Sequence, residues 1–217
     1  MAIARVVASL AKLPTSLLIA ERDGERCAGP VLIAGMAVGV GVIQLSTQGL
    51  KQSSHLSLNL LSLLVLELIG PILVSVLGMA LLLPRWIERV DHAGTRHWRR
   101  SVLSAALVGA LLMLMFFSAS LLSGILITPR SEMVSELFEL IGAIRLWDVV
   151  QSLVRCAGFL AALCAWCQWR SHNALRMGHA KTFIMSNLLV EGLMIGLSLK
   201  VLWSLMAQVL PFQEAWA

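Results

Sequence analysis

Uncharged or nearly uncharged apolar stretches recur along the chain at 28–47, 56–83, 101–128, 147–169 and 183–209, separated by short segments where charged residues gather. Each stretch reaches the ~20 residues that a helix needs to cross the hydrocarbon core of a bilayer. The pattern predicts five transmembrane helices. Ahead of them, Arg5, Lys12 and Pro14 interrupt an apolar N-terminal segment that is followed by charge and not by a small-residue cleavage site. That pattern argues against a cleavable signal peptide and for a helix lying in the interface with its cations snorkelling. The expected organisation is an interfacial amphipathic segment 1–27 and an all-α membrane domain 28–217.

Between the third and fourth stretches, "TPRSEMVSELFELIGAIRLWD" sets Met133, Leu137, Leu140, Ile141 and Ile144 at helical intervals, with Glu132, Glu136 and Glu139 on another face. This spacing predicts a short amphipathic helix on the external surface. The second stretch is longer than one crossing requires. Pro71 removes a backbone donor within it and Gly70 loosens the preceding turn, so a kinked or broken helix is expected.

Charge fixes the expected orientation. Arg5, Lys12, Arg22 and Arg26 precede the first span; Arg85, Arg89, Arg96, Arg99 and Arg100 lie between the second and third; Arg170, Arg176 and Lys181 lie between the fourth and fifth. The opposite connections carry only Lys51, Arg130 and Arg145. The positive-inside rule then places the N-terminus in the cytoplasm and the C-terminus outside.

Composition excludes several classes. The chain of 217 residues is 58% hydrophobic and 13% charged, with a mean hydropathy of +0.84, which is outside the range of soluble domains. Its net charge of +5 resides in connections and not on an aromatic-studded polar face, so nucleic acid is not an expected partner. Cys27, Cys156, Cys164 and Cys167 are scattered, and the C-x-x-C of the last two sits in an apolar run without His or Asp beside it. No metal, redox centre or cofactor is expected. The His residues are isolated, and no nucleophile–base pair or phosphate loop is visible, so nothing argues for an enzyme or a catalytic residue. The seven Trp fall mostly near span ends, as in an aromatic belt.

Candidate chemistry is confined to charges inside spans, each costing ~2.5–3.5 kcal/mol at the bilayer centre on insertion scales. Glu67 and Arg155 suit either a polar patch in a transport cavity or an interhelical ion pair. Glu191 follows Ser186 and Asn187 in a partly hydrated span start, and Lys200 suits snorkelling. Gly35 and Gly39 form a G-x-x-x-G with Gly41 nearby, which lets a helix or a lipid tail approach the backbone.

The order of these features resembles the MlaE/YrbE family of permeases, membrane subunits of bacterial ABC transporters that move lipids with MCE-domain proteins. "LLSLLVLELIGPILVSVLG" is similar to that family's "RELGP" helix through Gly70 and Pro71, with Glu67 where the family often has Arg and Leu68 where it has Glu. "WDVVQSLVRCAGF" is similar to the segment after the family's external helix, with Arg155 at a Lys position and Phe159 at a Phe. "MGHAKTFIMSNLLV" keeps Gly178, Ala180 and Thr182 of a G-x-A-T-T stretch, and "GMAVGVGVIQ" resembles a glycine-rich first span ending in Gln44. The family's "AELGTM"-like coupling helix, which seats the ATPase, has no counterpart between Pro71 and Asp91.

The resemblance implies an inner-membrane permease domain over 28–217. Its implied partners are an ABC ATPase, an MCE-domain protein and a second permease subunit, identical or not, with phospholipid or another hydrophobic molecule as substrate. Gly35, Gly39, Gly41, Glu67, Gly70, Pro71, Arg155 and Glu191 would line or support the lipid pathway. The basic segment with Arg85, Arg89, Arg96, Arg99 and Arg100 would meet the ATPase. Two other readings stay open: a non-transporting assembly subunit, favoured by the missing coupling motif, and an unrelated small transporter using Glu67, Arg155 and Glu191 as an ion relay.

Overall fold

The computed structural model describes residues 13–50, 64–94, 98–127, 146–178 and 180–209. Every described element is helical: α1 (Leu13–Leu50), a π-helical turn (Leu64–Ile69) leading into α2 (Gly70–Ala93), α3 (Trp98–Ile127), α4 (Leu146–Arg176) and α5 (Lys181–Val209). Each of the five α-helices contains a stretch long and apolar enough to cross a membrane. The chain is therefore of multi-pass membrane type.

Helix α1 packs along α3, α3 along α4, and α4 along α2, while α5 lies against α2 and α4. The core fills the space between α2, α3 and α4 with Val74, Met79, Leu82, Leu83, Leu112, Met113, Phe116, Leu160 and Leu163. These positions recur at three- and four-residue intervals, the spacing that keeps one stripe of each helix inward. Helices α1 and α5 are peripheral, and α5 presents Val190, Met194, Val201 and Leu205 outward.

Two boundaries depart from expectation. The first helix does not begin at residue 28: α1 runs unbroken from Leu13 through the span, and its buried positions Ala20, Asp23, Cys27 and Val31 continue one inward stripe across the expected boundary. Residues 1–12 lie outside the described residues. The second helix does not stop at Leu83 either. It passes through Pro84 to Ala93, because Trp86, Ile87 and Val90 bury apolar surface there and its arginines find a partner on α1. Gly94, with φ +55° and its N–H donating to the Val90 carbonyl at 2.9 Å, closes the helix. Most of the basic segment expected to be a loop is thus the end of α2 and the start of α3. The expected external helix carrying Met133, Leu137, Leu140, Ile141 and Ile144 lies outside the described residues.

At the position of the expected kink or break, the second span runs as a π turn, Leu64–Ile69, that passes directly into α2 at Gly70 and Pro71. A Cβ at Gly70 would collide with the Val65 carbonyl and the Met113 side chain. Gly178, the glycine of the "MGHAKT" stretch, has φ +76° and terminates α4, a backbone state that favours glycine.

Candidate functional site

Pro71 has no N–H, so the Glu67 carbonyl four residues earlier lacks its ordinary helical donor. Lys200 on α5 supplies one: its Nζ donates to the Glu67 carbonyl oxygen. This cation is therefore turned onto the break in the second span and is not simply snorkelling. The Glu67 carboxylate lies 3.9 Å from Nη1 of Arg155 on α4, and the Arg155 guanidinium carbon stands 5.4 Å above the Trp203 ring of α5, within cation–π range.

The cluster is unbalanced. Arg155 is 8% exposed while Glu67 is 51% exposed, and Arg155 Nε has no hydrogen-bond partner among the described residues. Two cations, Arg155 and Lys200, face one carboxylate. A buried cation with a loose counter-ion and an open donor is expensive in a low-dielectric setting, and a further anionic group would complete it.

At the other end of α2, roughly 27–33 Å away at about 1.5 Å per residue, the charges are closed. Asp23 of α1 is 2% exposed. It accepts from Arg85 Nη1 and, through both oxygens, from Arg89 Nη2 at 2.8 and 2.6 Å. Arg89 Nη1 also reaches Ser101 Oγ at 3.5 Å, and Arg85 Nη1 donates to the Arg22 carbonyl at 3.0 Å. Arg85 and Arg89 stand four apart on one face of α2, so one carboxylate between helices can serve both. Around this cluster is a cavity of about 810 Å³ whose wall includes Arg22, Arg26, Arg85, Arg89, Arg100 and Trp98.

The other candidate residues separate from these clusters. Gly35 and Gly39 are sealed against α3: a Cβ on Gly35 would stand 2.7 Å from the Phe116 carbonyl, and one on Gly39 would overlap the Ser120 carbonyl. Ser120 Oγ donates to the Gly35 carbonyl at 2.9 Å and Ser123 Oγ to that of Met36 at 3.1 Å. The G-x-x-x-G thus makes a helix contact. Gly41 meets nothing within 4 Å. Glu191 pairs with Arg170 of α4 at 3.2 Å, away from Glu67, and Lys181 reaches Asp91 at 2.6 Å.

Of the basic candidates, Arg85 and Arg89 turn inward, Arg99 and Arg100 occupy the first turn of α3, and Arg96 lies outside the described residues. The cysteines Cys27, Cys156, Cys164 and Cys167 are free and buried. Trp86 is 1% exposed and belongs to the core, unlike a belt residue. Asp23 and Trp203 were not among the sequence candidates. Asp23 was detectable as the polar member of the Ala20–Asp23–Cys27–Val31 stripe; Trp203 carried no signal beyond its place one turn from Lys200. No family model, curated protein or solved structure matches the chain.

Proposed function

We propose that this protein is the membrane-embedded permease subunit of a complex that moves a phospholipid or another hydrophobic molecule with an anionic head. The observation that carries the reading is Arg155: a buried guanidinium at a break in a span, with its carboxylate 3.9 Å away and Nε open. A substrate phosphate would supply the missing acceptors, since guanidinium pairs with phosphate through parallel N–H donors. The π turn and Pro71 give the second span a place to bend as access alternates. The sequence resemblance supports the same reading and adds an ABC ATPase, an MCE-domain protein and a second permease subunit as partners. In this reading the protein sits in a bacterial inner membrane with its N-terminus cytoplasmic.

The test begins with purification in mild detergent and identification of co-purifying proteins and lipids. The complex is then reconstituted, and movement of a fluorescent phospholipid is followed. Arg155→Ala should reduce the rate at least tenfold while subunit association persists. An unchanged rate in Arg155→Ala and Glu67→Gln would sink the proposal.

A second reading, an assembly subunit that no longer transports, draws support from α2. Its unbroken run from Gly70 to Ala93 leaves no room for the excursion that seats an ATPase in the resembled family. It is favoured if the complex assembles and the variants move lipid at the normal rate. Uptake driven by a pH gradient without an ATPase would instead favour an ion relay.

A further inference from the structure

The cavity at the Asp23 end of α2 is independent of the transport reading. Five arginines, Arg22, Arg26, Arg85, Arg89 and Arg100, line it with a single acidic residue, Glu88, and Asp23, bound to Arg85 and Arg89, offsets one more charge. Arg85 and Arg89 are held in place by Asp23. An arginine carries more N–H donors than such pairing consumes, so donors remain for a ligand. Arg22, Arg26 and Arg100 line the same space without an ion pair among the described residues.

The first turn of α3 adds to this field. It contributes Trp98, Arg100 and Ser101 to the wall and holds no acidic residue. The positive end of the helix dipole thus adds to the charge of Arg100, a placement that an anion in the cavity would relieve. The volume of about 810 Å³ falls in the range of small-molecule sites. Trp98, 44% exposed on the wall, is the residue type that settles at lipid headgroup level.

We propose that this cavity is a binding site for a phosphate-bearing anion. The phosphate sits between Arg100 and the Arg22–Arg26 turn of α1, with Arg85 and Arg89 beneath it. Two sources share that chemistry: the headgroup of an anionic lipid, as in basic pockets between membrane helices, and a free phosphate ester or inorganic phosphate. Occupancy bridges α1, α2 and α3 at one end of the bundle, far from Arg155.

The test titrates the full-length protein in detergent with phosphatidic acid, phosphatidylcholine and inorganic phosphate and counts bound molecules by native mass spectrometry. Saturable binding of phosphatidic acid is expected, weakened at least tenfold in R22Q/R26Q/R100Q and unaltered in Arg99→Gln, whose side chain lies outside the cavity. Displacement of the lipid by millimolar inorganic phosphate assigns the free anion as a competent ligand, and lipid that resists displacement assigns the headgroup; both support the site. Should the triple variant fail to fold, Arg100→Gln and the salt dependence of wild-type binding take its place, each expected to weaken retention. Undiminished binding in a folded variant, equal retention of phosphatidylcholine, or no saturable binding overturns the proposal. Because Arg155 is untouched, loss of this site with normal lipid movement leaves the transport reading standing.

Discussion

The two ends of α2 handle charge in opposite ways. At the Arg85–Arg89 end, a carboxylate with almost no exposure is gripped by two guanidiniums at hydrogen-bond distance. At the Glu67 end the exposure is reversed: the cation is buried, the carboxylate is half-exposed and the pair stands 3.9 Å apart. Removing one partner from a closed buried pair strands the other charge, whereas a loose pair has little to lose. The first arrangement holds helices together. The second leaves a buried cation short of acceptors.

Substitutions can break this contrast. Asp23→Asn should be the most damaging, leaving two guanidiniums uncompensated between α1 and α2 at a cost of about 3–5 kcal/mol, read as a large fall in melting temperature in detergent. A small effect would mean that the cluster does not hold α1. Gly39→Val, which drives a side chain into the Ser120 carbonyl, should cost about 1–3 kcal/mol by overpacking. Gly41→Val, facing open space, should leave the melting temperature unchanged.

At the loose end, Lys200→Met should cost ~1 kcal/mol, the scale of a hydrogen bond between membrane helices. That cost should shrink in a Pro71→Ala background, where the restored N–H can serve the Glu67 carbonyl; a double-mutant cycle measures the difference. Arg155→Met should leave stability unchanged or slightly raised, in contrast with Asp23→Asn, because it removes a poorly compensated buried cation. The smallest effect is expected from Glu191→Gln. Its pair with Arg170 is half-exposed on the cation side, and such pairs contribute little, so no measurable shift in melting is expected.

Much of the architecture was legible in the sequence because membrane helices announce themselves by length and hydropathy. The five spans and an irregular helical turn ahead of Gly70–Pro71 follow from local composition and from the missing proline N–H. The boundaries of the first and second helices did not follow. Where Arg85 and Arg89 appear, hydropathy ends the second span, but the helix continues because a single aspartate on a neighbouring helix makes these arginines tolerable, and that aspartate lies 62 residues away from Arg85 in the chain. The candidate cluster was half legible. Glu67 and Arg155 stood out as charges in apolar runs, while the role of Lys200 depends on which carbonyl Pro71 leaves without a donor and on α5 passing beside it. Gly35 and Gly39 permitted two readings by spacing, and only the serines of α3 decide for helix contact.

The bond from Lys200 to the Glu67 carbonyl has a consequence for biogenesis. The second span enters the membrane with a backbone acceptor whose i+4 donor Pro71 removes, and the Lys200 donor arrives only with the fifth span, 133 residues later. Until α5 is laid down, the nascent bundle lacks that donor at the Gly-Pro turn, so completion of the second span waits on insertion of the fifth.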